Sequence, residues 1–459
     1  MSDYSINNKI KATSAEKSLP LTVCMGWGVG SLGMAIMYAL VSTFALSFMV
    51  NHLSIAAGFA GLLIGLTKIY DGFTDPLMGI ISDKTHTRIG RRRPYLLLGA
   101  ILLSLSMFLM FNVPDSIAKN SPAIYMCFVL LLYATGYTVF NVPYLAMTAE
   151  MTNGYHERAR LMSFRVYGIA AAGFIGLAVG PMLMDRFGGG REGFEIMALV
   201  MAITVLTSSV LCFHFTKNAP FKNHVASTRY TVKDQIRLAI ENTPFLWLML
   251  SKLFGLLGSA LSAPAKAFFF PLVLGASLTS FGYYWIAFYA AMMVSQPFWL
   301  QQAKRFSKRD IFIFGLLLTV VVNLTWLLAS PEEPYLITLI RGAALGFLGG
   351  GTLLMGQSML PDTMEYDFRT TGLRREGIYA GFYTTIEKFA YAIGPAITGA
   401  ALATMGYISS NDGIQTEQPE SAILAIYICA AGLPSLTGIL GALCLTRYNL
   451  TEKILRNIK

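Results

Sequence analysis

Apolar runs of about twenty residues or more recur along the whole chain, separated by short polar stretches. Each is long enough to cross the hydrocarbon core of a bilayer as a helix. The pattern predicts twelve spans, at roughly residues 20–50, 56–82, 95–112, 123–150, 162–184, 194–215, 244–272, 279–301, 311–330, 335–360, 377–406 and 422–446. Gly and Pro interrupt several of these runs, which bundle helices tolerate because neighbours re-satisfy the freed backbone groups. The longest polar stretch, 216–243, passes through Lys217, Lys222, Arg229, Lys233 and Arg237. It separates an amino-terminal part, 1–215, from a carboxy-terminal part, 244–459, with six expected spans in each. The fold class that follows is an all-α polytopic membrane protein.

The two parts echo each other. Asp75-Pro76, followed by the basic loop with Lys84, Arg88, Arg91, Arg92 and Arg93, corresponds to Gln296-Pro297 followed by Lys304, Arg305, Lys308 and Arg309. Asn141-Val142-Pro143-Tyr144 corresponds to Met359-Leu360-Pro361-Asp362 at nearly the same offset. Two six-helix pseudo-repeats in parallel are a known transporter layout, with the substrate site at mid-membrane between them. The repeat is asymmetric: Asp71 and Asp75 face Ala291 and Gln296 at about the matching places, so a cation site belongs to the first half.

Composition agrees with the pattern. The 459 residues are 54% hydrophobic and only 13% charged, and the mean hydropathy is +0.55; a soluble domain carries about 25% charged residues. The polar, basic start from Met1 to Leu19 is not a cleavable signal. The five cysteines are scattered through apolar runs and suggest neither a disulfide framework nor a metal site. The net charge of +10 is explained by topology. With both termini cytoplasmic, the basic residues fall overwhelmingly in cytoplasmic loops, and Lys119, Arg186 and Arg191 are the ones left outside. No nucleic-acid partner is expected; the bilayer and a small-molecule substrate are.

The candidate chemistry is intramembrane. Asp71 and Asp75 lie four apart in the second span, on one helix face, with Lys68 one turn earlier. A charge at the centre of a membrane helix costs about 2.5–3.5 kcal/mol on insertion scales and marks an ion or substrate path; a plain structural pair between Lys68 and Asp71 is the alternative. Lys388, about a dozen residues into the eleventh span, should face the central cavity and one of these carboxylates. Tyr383 and Thr384 lie one turn from it, suited to hydroxyl groups. At the end of span four, Tyr137, Thr138 and Asn141 cluster on one helix face beside an expected break at Pro143. Arg165, just inside span five, can reach a carboxylate or sugar hydroxyl through its planar fork. Gating candidates flank the spans on the cytoplasmic side: Asp83, Arg88, Arg91 and Arg92 in the first basic loop, Glu157 and Arg158 before span five, and Asp362 and Glu365 after span ten. Lipid head-group contact and topology are the rival reading of the basic loop.

Taken together, these residues resemble the glycoside–pentoside–hexuronide:cation symporters, a branch of the major facilitator superfamily that contains the melibiose permease. The resemblance runs from Gly28 to Tyr407. It rests on Asp71-x-x-x-Asp75-Pro76-x-x-Gly79, Arg88-x-Gly90-Arg91-x-Arg93-Pro94, Asn141-Val142-Pro143-Tyr144, Glu157-Arg158…Arg165, Pro361-Asp362 and Lys388. It implies a major facilitator fold, a cation site at Asp71, Asp75, Thr74 and Thr138, and a sugar beside Arg165 and Lys388. The chain departs from that pattern where the permease has sugar-binding acids and a stacking Trp: it has Ala35, Asn141 and Leu145. Melibiose is therefore not the expected substrate.

The expectation is a secondary active transporter, working without a cofactor as a monomer in a bacterial inner membrane. It would couple sodium or proton entry to movement of a saccharide, glycoside or uronide. An amphiphile or lysolipid carrier on the same fold, and a non-transporting sensor, are the alternatives. No nucleophile–His–acid set, metal cluster or phosphate loop supports an enzyme.

Overall fold

A computed structural model of the chain describes residues 19–151, 155–217, 219, 237, 240–372, 376–410, 417–450 and 454–455. Most of the 216–243 linker lies outside these. The described residues are helical. The amino-terminal half contains α1 (Leu21–Asn51), α2 (Ala57–Lys84), α3 (Arg93–Phe111), the short α4 (Asp115–Asn120), α5 (Pro122–Met151), α6 (Tyr155–Gly173), α7 (Gly180–Arg186) and α8 (Arg191–Phe215). The carboxy-terminal half contains α9 (Thr243–Leu272), α10 (Leu278–Gln302), α11 (Lys308–Thr325), α12 (Tyr335–Thr371), α13 (Glu376–Thr404), α14 (Glu420–Tyr427) and α15 (Leu433–Thr446).

Among the described residues, nine helical runs are long and apolar enough to span a membrane. The other three expected spans correspond to α2, α10 and α13, which are long but more polar. Two of these, α2 and α13, carry Lys68, Asp71, Asp75, Glu387 and Lys388, so the residues that lower their hydropathy are the candidate chemistry itself.

The helices are less broken than the prolines suggest. Helix α5 runs through Pro143, α2 through Pro76, α10 through Pro297 and α12 through Pro361 without interruption. Proline in a packed bundle loses one backbone hydrogen bond, and neighbours or water stabilise the freed carbonyl. Two other prolines do leave a mark. One turn of π-helix, Phe174–Val179, joins α6 to α7 just before Pro181, and another, Ile428–Gly432, joins α14 to α15 just before Pro434. A missing N–H is a known cause of such widened turns. Helix α12 outruns its expected end at residue 360 by continuing to Thr371. An Arg369–Glu365 pair at 2.7 Å supports the polar extension, and Gly372 ends it with a φ of 71°.

Close packing within each half comes from small residues, as lipid gives helices no hydrophobic reason to associate. Trp27 of α1 stacks on Tyr144 of α5 at 4.5 Å, and each donates a side-chain hydrogen bond to the other's carbonyl. The two halves meet at the end away from the basic loops. There Tyr407 bonds Asn51 at 2.8 Å, and the Ser410 N–H donates to Val50 O at 3.1 Å. Helix α2 crosses α13 so closely that a Cβ on Gly61 would meet Pro395 O at 2.5 Å and the Gly399 Cα at 3.1 Å. A residual cavity of about 250 Å³ remains at this closed end, lined by Ser47, Asn51, Asp185, Ser277, Tyr407 and Ser410 among others. At the opposite end, the ion pairs among the described residues stay within one half, as Arg92–Asp83 and Lys308–Asp362 do. Further toward the basic loops a Cβ on Gly72 of α2 or Gly381 of α13 would meet nothing within 4 Å, so a cleft opens there between the two helices.

This geometry predicts that Gly61→Val forces α2 and α13 apart at their crossing. In a background lacking the native cysteines, a Ser47→Cys probe should then react faster with a membrane-impermeant maleimide than in the Gly61 parent. Unchanged labelling would show that the crossing does not hold that end closed.

Candidate functional site

Half-way along α2 and α13 the charges sit in pairs. Lys68 Nζ lies 3.1 Å from Asp71 Oδ2, and both side chains are almost fully buried. Lys388 of α13 is ion-paired to Asp75 of α2, so this second pair joins the two halves. The Thr138 hydroxyl on α5 donates to Asp75 Oδ1 at 2.7 Å and lies 3.4 Å from the Thr74 hydroxyl, which donates to Tyr70 O. The four residues expected at a cation site are thus neighbours. Asp75 had no basic neighbour in sequence; its partner arrives from more than three hundred positions away.

Each charge is partnered for the same reason. Removing an ion from water costs several kcal/mol, which only a close counter-ion and hydrogen bonds offset. The Lys68 ammonium has a second kind of support: the rings of Tyr133, Tyr137 and Tyr38 lie 5.1, 5.4 and 5.8 Å away, within cation–π range. Tyr38 also meets Tyr391 of α13 edge-on at 5.1 Å, a further contact between the halves.

Of the expected substrate residues, Tyr137 packs beside the Lys68 ammonium and Lys388 pairs with Asp75. Asn141 Oδ1 and Arg165 Nε are buried without a hydrogen-bond partner, two orphan groups that a ligand or water would have to meet. Arg165 lies in electrostatic range of Tyr137 in its own half and of Tyr383 in the other. Thr384 is exposed and turns its hydroxyl back to Gly381 O at 2.9 Å.

Sequence reasoning assigned no role to two ionisable residues here. Lys252 of α9 donates to Glu387 at 2.9 Å and to Tyr383 O at 3.1 Å, and sits over the Tyr383 ring. The Glu387 side chain remains 43% exposed. Both residues are ionisable and mid-span, a signal sufficient to mark them. Tyr38 and Tyr133 could not have been found this way, because a tyrosine in an apolar run looks like packing.

The gating candidates form local networks. Glu150 Oε1 accepts from Arg91 at 2.7 Å and from Arg92 at 2.9 Å, while Arg92 also pairs with Asp83 and bonds Ser82. Arg88 is exposed. Glu157 accepts from the Leu19 N–H at 2.6 Å; the Arg158 side chain lies outside the described residues. Asp362 pairs with Lys308 at 2.6 Å and Glu365 with Arg369.

The sequence profile of the MFS/sugar transport protein family matches residues 26–452, and the chain belongs to that family. It is similar to the isoprimeverose transporter of Lactiplantibacillus pentosus, with 28% identity over 85% of this chain and 81% of the relative. It is similar to the glucuronide carrier protein homolog of Escherichia coli, with 25% identity over 95% of this chain and 93% of the relative. Among solved structures, the D-xylose-proton symporter shares the fold at a TM-score of 0.66, with 14% identity over 94% of this chain and 98% of that one. The chain is thus a multi-pass membrane transporter of that family rather than an enzyme.

The arginine–glutamate network yields a stability prediction. Arg92 is buried and would keep only the exposed Asp83 as counter-ion, so Glu150→Ala should cost on the order of 3 kcal/mol. Glu150→Ala should lower the melting temperature of the detergent-purified protein clearly more than Glu365→Ala, whose pair with Arg369 is exposed.

Proposed function

We propose that the protein moves an acidic saccharide, a uronide or similar glycoside acid, together with a coupling cation, by alternating access. The observation that carries the reading is the Asp75–Lys388 pair, which ties one half to the other on the cleft wall. A cation arriving at Asp75 competes with the Lys388 ammonium for the same carboxylate. Lys388 is then released into a cleft that already holds Arg165, which has no carboxylate partner among the described residues. Two cationic groups facing one cleft favour a cargo that carries negative charge, and Arg165 offers it a bidentate fork.

The orphan Asn141 Oδ1 and the half-exposed Glu387 are acceptors for sugar hydroxyls, one from each half. Loading thus changes which contacts hold the halves together, and coupling requires only that loaded and empty forms favour different openings. The relatives named for isoprimeverose and glucuronide support a carbohydrate cargo over a lysolipid. Both halves of the site come from one chain, so a monomer suffices. With both termini in the cytoplasm, the cleft as it stands opens inward.

Proteoliposome uptake of methyl glucuronide against methyl glucoside, under an inward sodium or proton gradient, tests this. Glucuronide should be preferred, and Arg165→Gln should weaken its binding by about tenfold or more, as expected for loss of one partner of a buried charge pair. Asp75→Asn should abolish accumulation against a gradient while leaving counterflow exchange. Full concentrative uptake by Asp75→Asn would refute the coupling site; preference for the neutral glycoside would refute the acidic cargo.

A further inference from the structure

The carboxylate pair on α2 is not a symmetric cation trap, because one of its members is already taken. Lys68 comes from the same helix as Asp71, one turn away, so its ammonium is tethered within reach of that carboxylate. Its ammonium lies 3.1 Å from Asp71 Oδ2, its side chain is 8% exposed and that of Asp71 1%. Three tyrosine rings close around the ammonium. A mobile ion that entered here would have to displace a tethered one that is held by charge, by ring faces and by the backbone.

We propose that Lys68 is a resident cation that fills the Asp71 side of the pair, so that the site takes up one proton at Asp75 and excludes sodium. The inference rests on the cation-coupled reading above and identifies the ion. A hard cation gathers roughly six oxygen ligands, with charge among them. With Asp71 neutralised by Lys68, the side-chain oxygens left at the expected cation site are those of Asp75, Thr74 and Thr138. Thr138 already donates to Asp75, and Thr74 to its own helix. That set is too small for sodium, whereas a proton needs one oxygen.

The charged groups that face Asp75 are Lys388 from α13 and, from its own helix, Lys68 and Asp71. Glu387 and Arg165 lie further along the cleft. Tyr38, Tyr133 and Tyr137 face Lys68 and form the wall behind it. Asp71 Oδ1 and the Tyr133 hydroxyl are buried and unpartnered, so a ready oxygen pair stands beside the ammonium. If the ammonium were removed, those oxygens would add to the three side chains above, and the pair would become the metal site that the intact chain lacks.

The experiment uses the full chain in nanodiscs with no sugar present, and the probe is sodium chloride against choline chloride at pH 6 and pH 8. The parent protein should show no sodium-dependent thermal shift at either pH. Lys68→Met should gain one, with affinity for sodium raised at least roughly tenfold, and Lys68→Met with Asp71→Asn should lose it again. Lys68→Arg, which keeps the charge, should remain unresponsive. A sodium-dependent shift in the parent that Asp71→Asn removes would overturn the proposal, and so would a folded Lys68→Met that gains no response. The parent measurement decides the point even where Lys68→Met does not fold. Because no substrate is involved, a negative result here leaves the sugar-uptake test unaffected, and failure of that test leaves this one readable.

Discussion

The structure depends on one constraint: a charge within the membrane is costly unless a partner lies at contact distance, and for most of those here the partner is an opposite charge, while Lys266 has the Tyr284 hydroxyl and aromatic rings. Lys68 has Asp71, Lys388 has Asp75, and Lys252 has Glu387. Near the other ends of the helices Glu333 pairs with Arg341, and Glu150 gathers Arg91 and Arg92. Of these, Asp75–Lys388 has its members in different halves. The pair that satisfies both charges is also a contact between the two halves of the chain. Under the proposed mechanism, any group that competes for Asp75 acts on that contact as well.

The positions of these charges follow from the helices that carry them. Helices α2 and α13 cross at glycines near the closed end, where Gly61 and Gly399 let the backbones touch. Below the crossing they diverge, and there the side chains lengthen into Asp75 and Lys388. Small residues above and ionic residues below make a lever: tight contact at one end sets the separation at the other. The tyrosines of α1 and α5 fill the space behind Lys68, so the ammonium is enclosed on the side away from the cleft.

Much of this was legible in the sequence, because a membrane penalises ionic residues so heavily that each one stands out. Asp71, Asp75 and Lys388 were found by position alone, and the spacing of the halves was visible in paired Pro motifs. The expected break at Pro143 did not occur, since helix packing outweighs local propensity inside a bundle. The end of α12 was read as leaving the helix at residue 360 because hydropathy falls there; an ion pair one turn apart sustains the helix for another eleven residues. The partner of Asp75 was narrowed only to a lysine facing two acids, as contact between spans two and eleven is a property of the assembled halves. Of the tyrosine cage, Tyr137 stood out as a candidate for a different role, and Tyr38 and Tyr133 gave no signal, since the cage depends on three rings from two helices converging on one nitrogen.

If the cargo is acidic and the coupling ion a proton, as proposed above, the Asp75–Lys388 pair has an energetic corollary. One proton entering with one singly charged acid carries no net charge across the bilayer. Such a cycle neither gains nor loses the roughly 2.3 kcal/mol that each 100 mV gives to a moving elementary charge. Accumulation would follow the difference in acidity between the two compartments and would persist in a depolarised cell. A carrier of neutral sugar with the same proton would instead be voltage-driven, so the sign on the cargo decides which component of the cell's energy store the protein can draw upon.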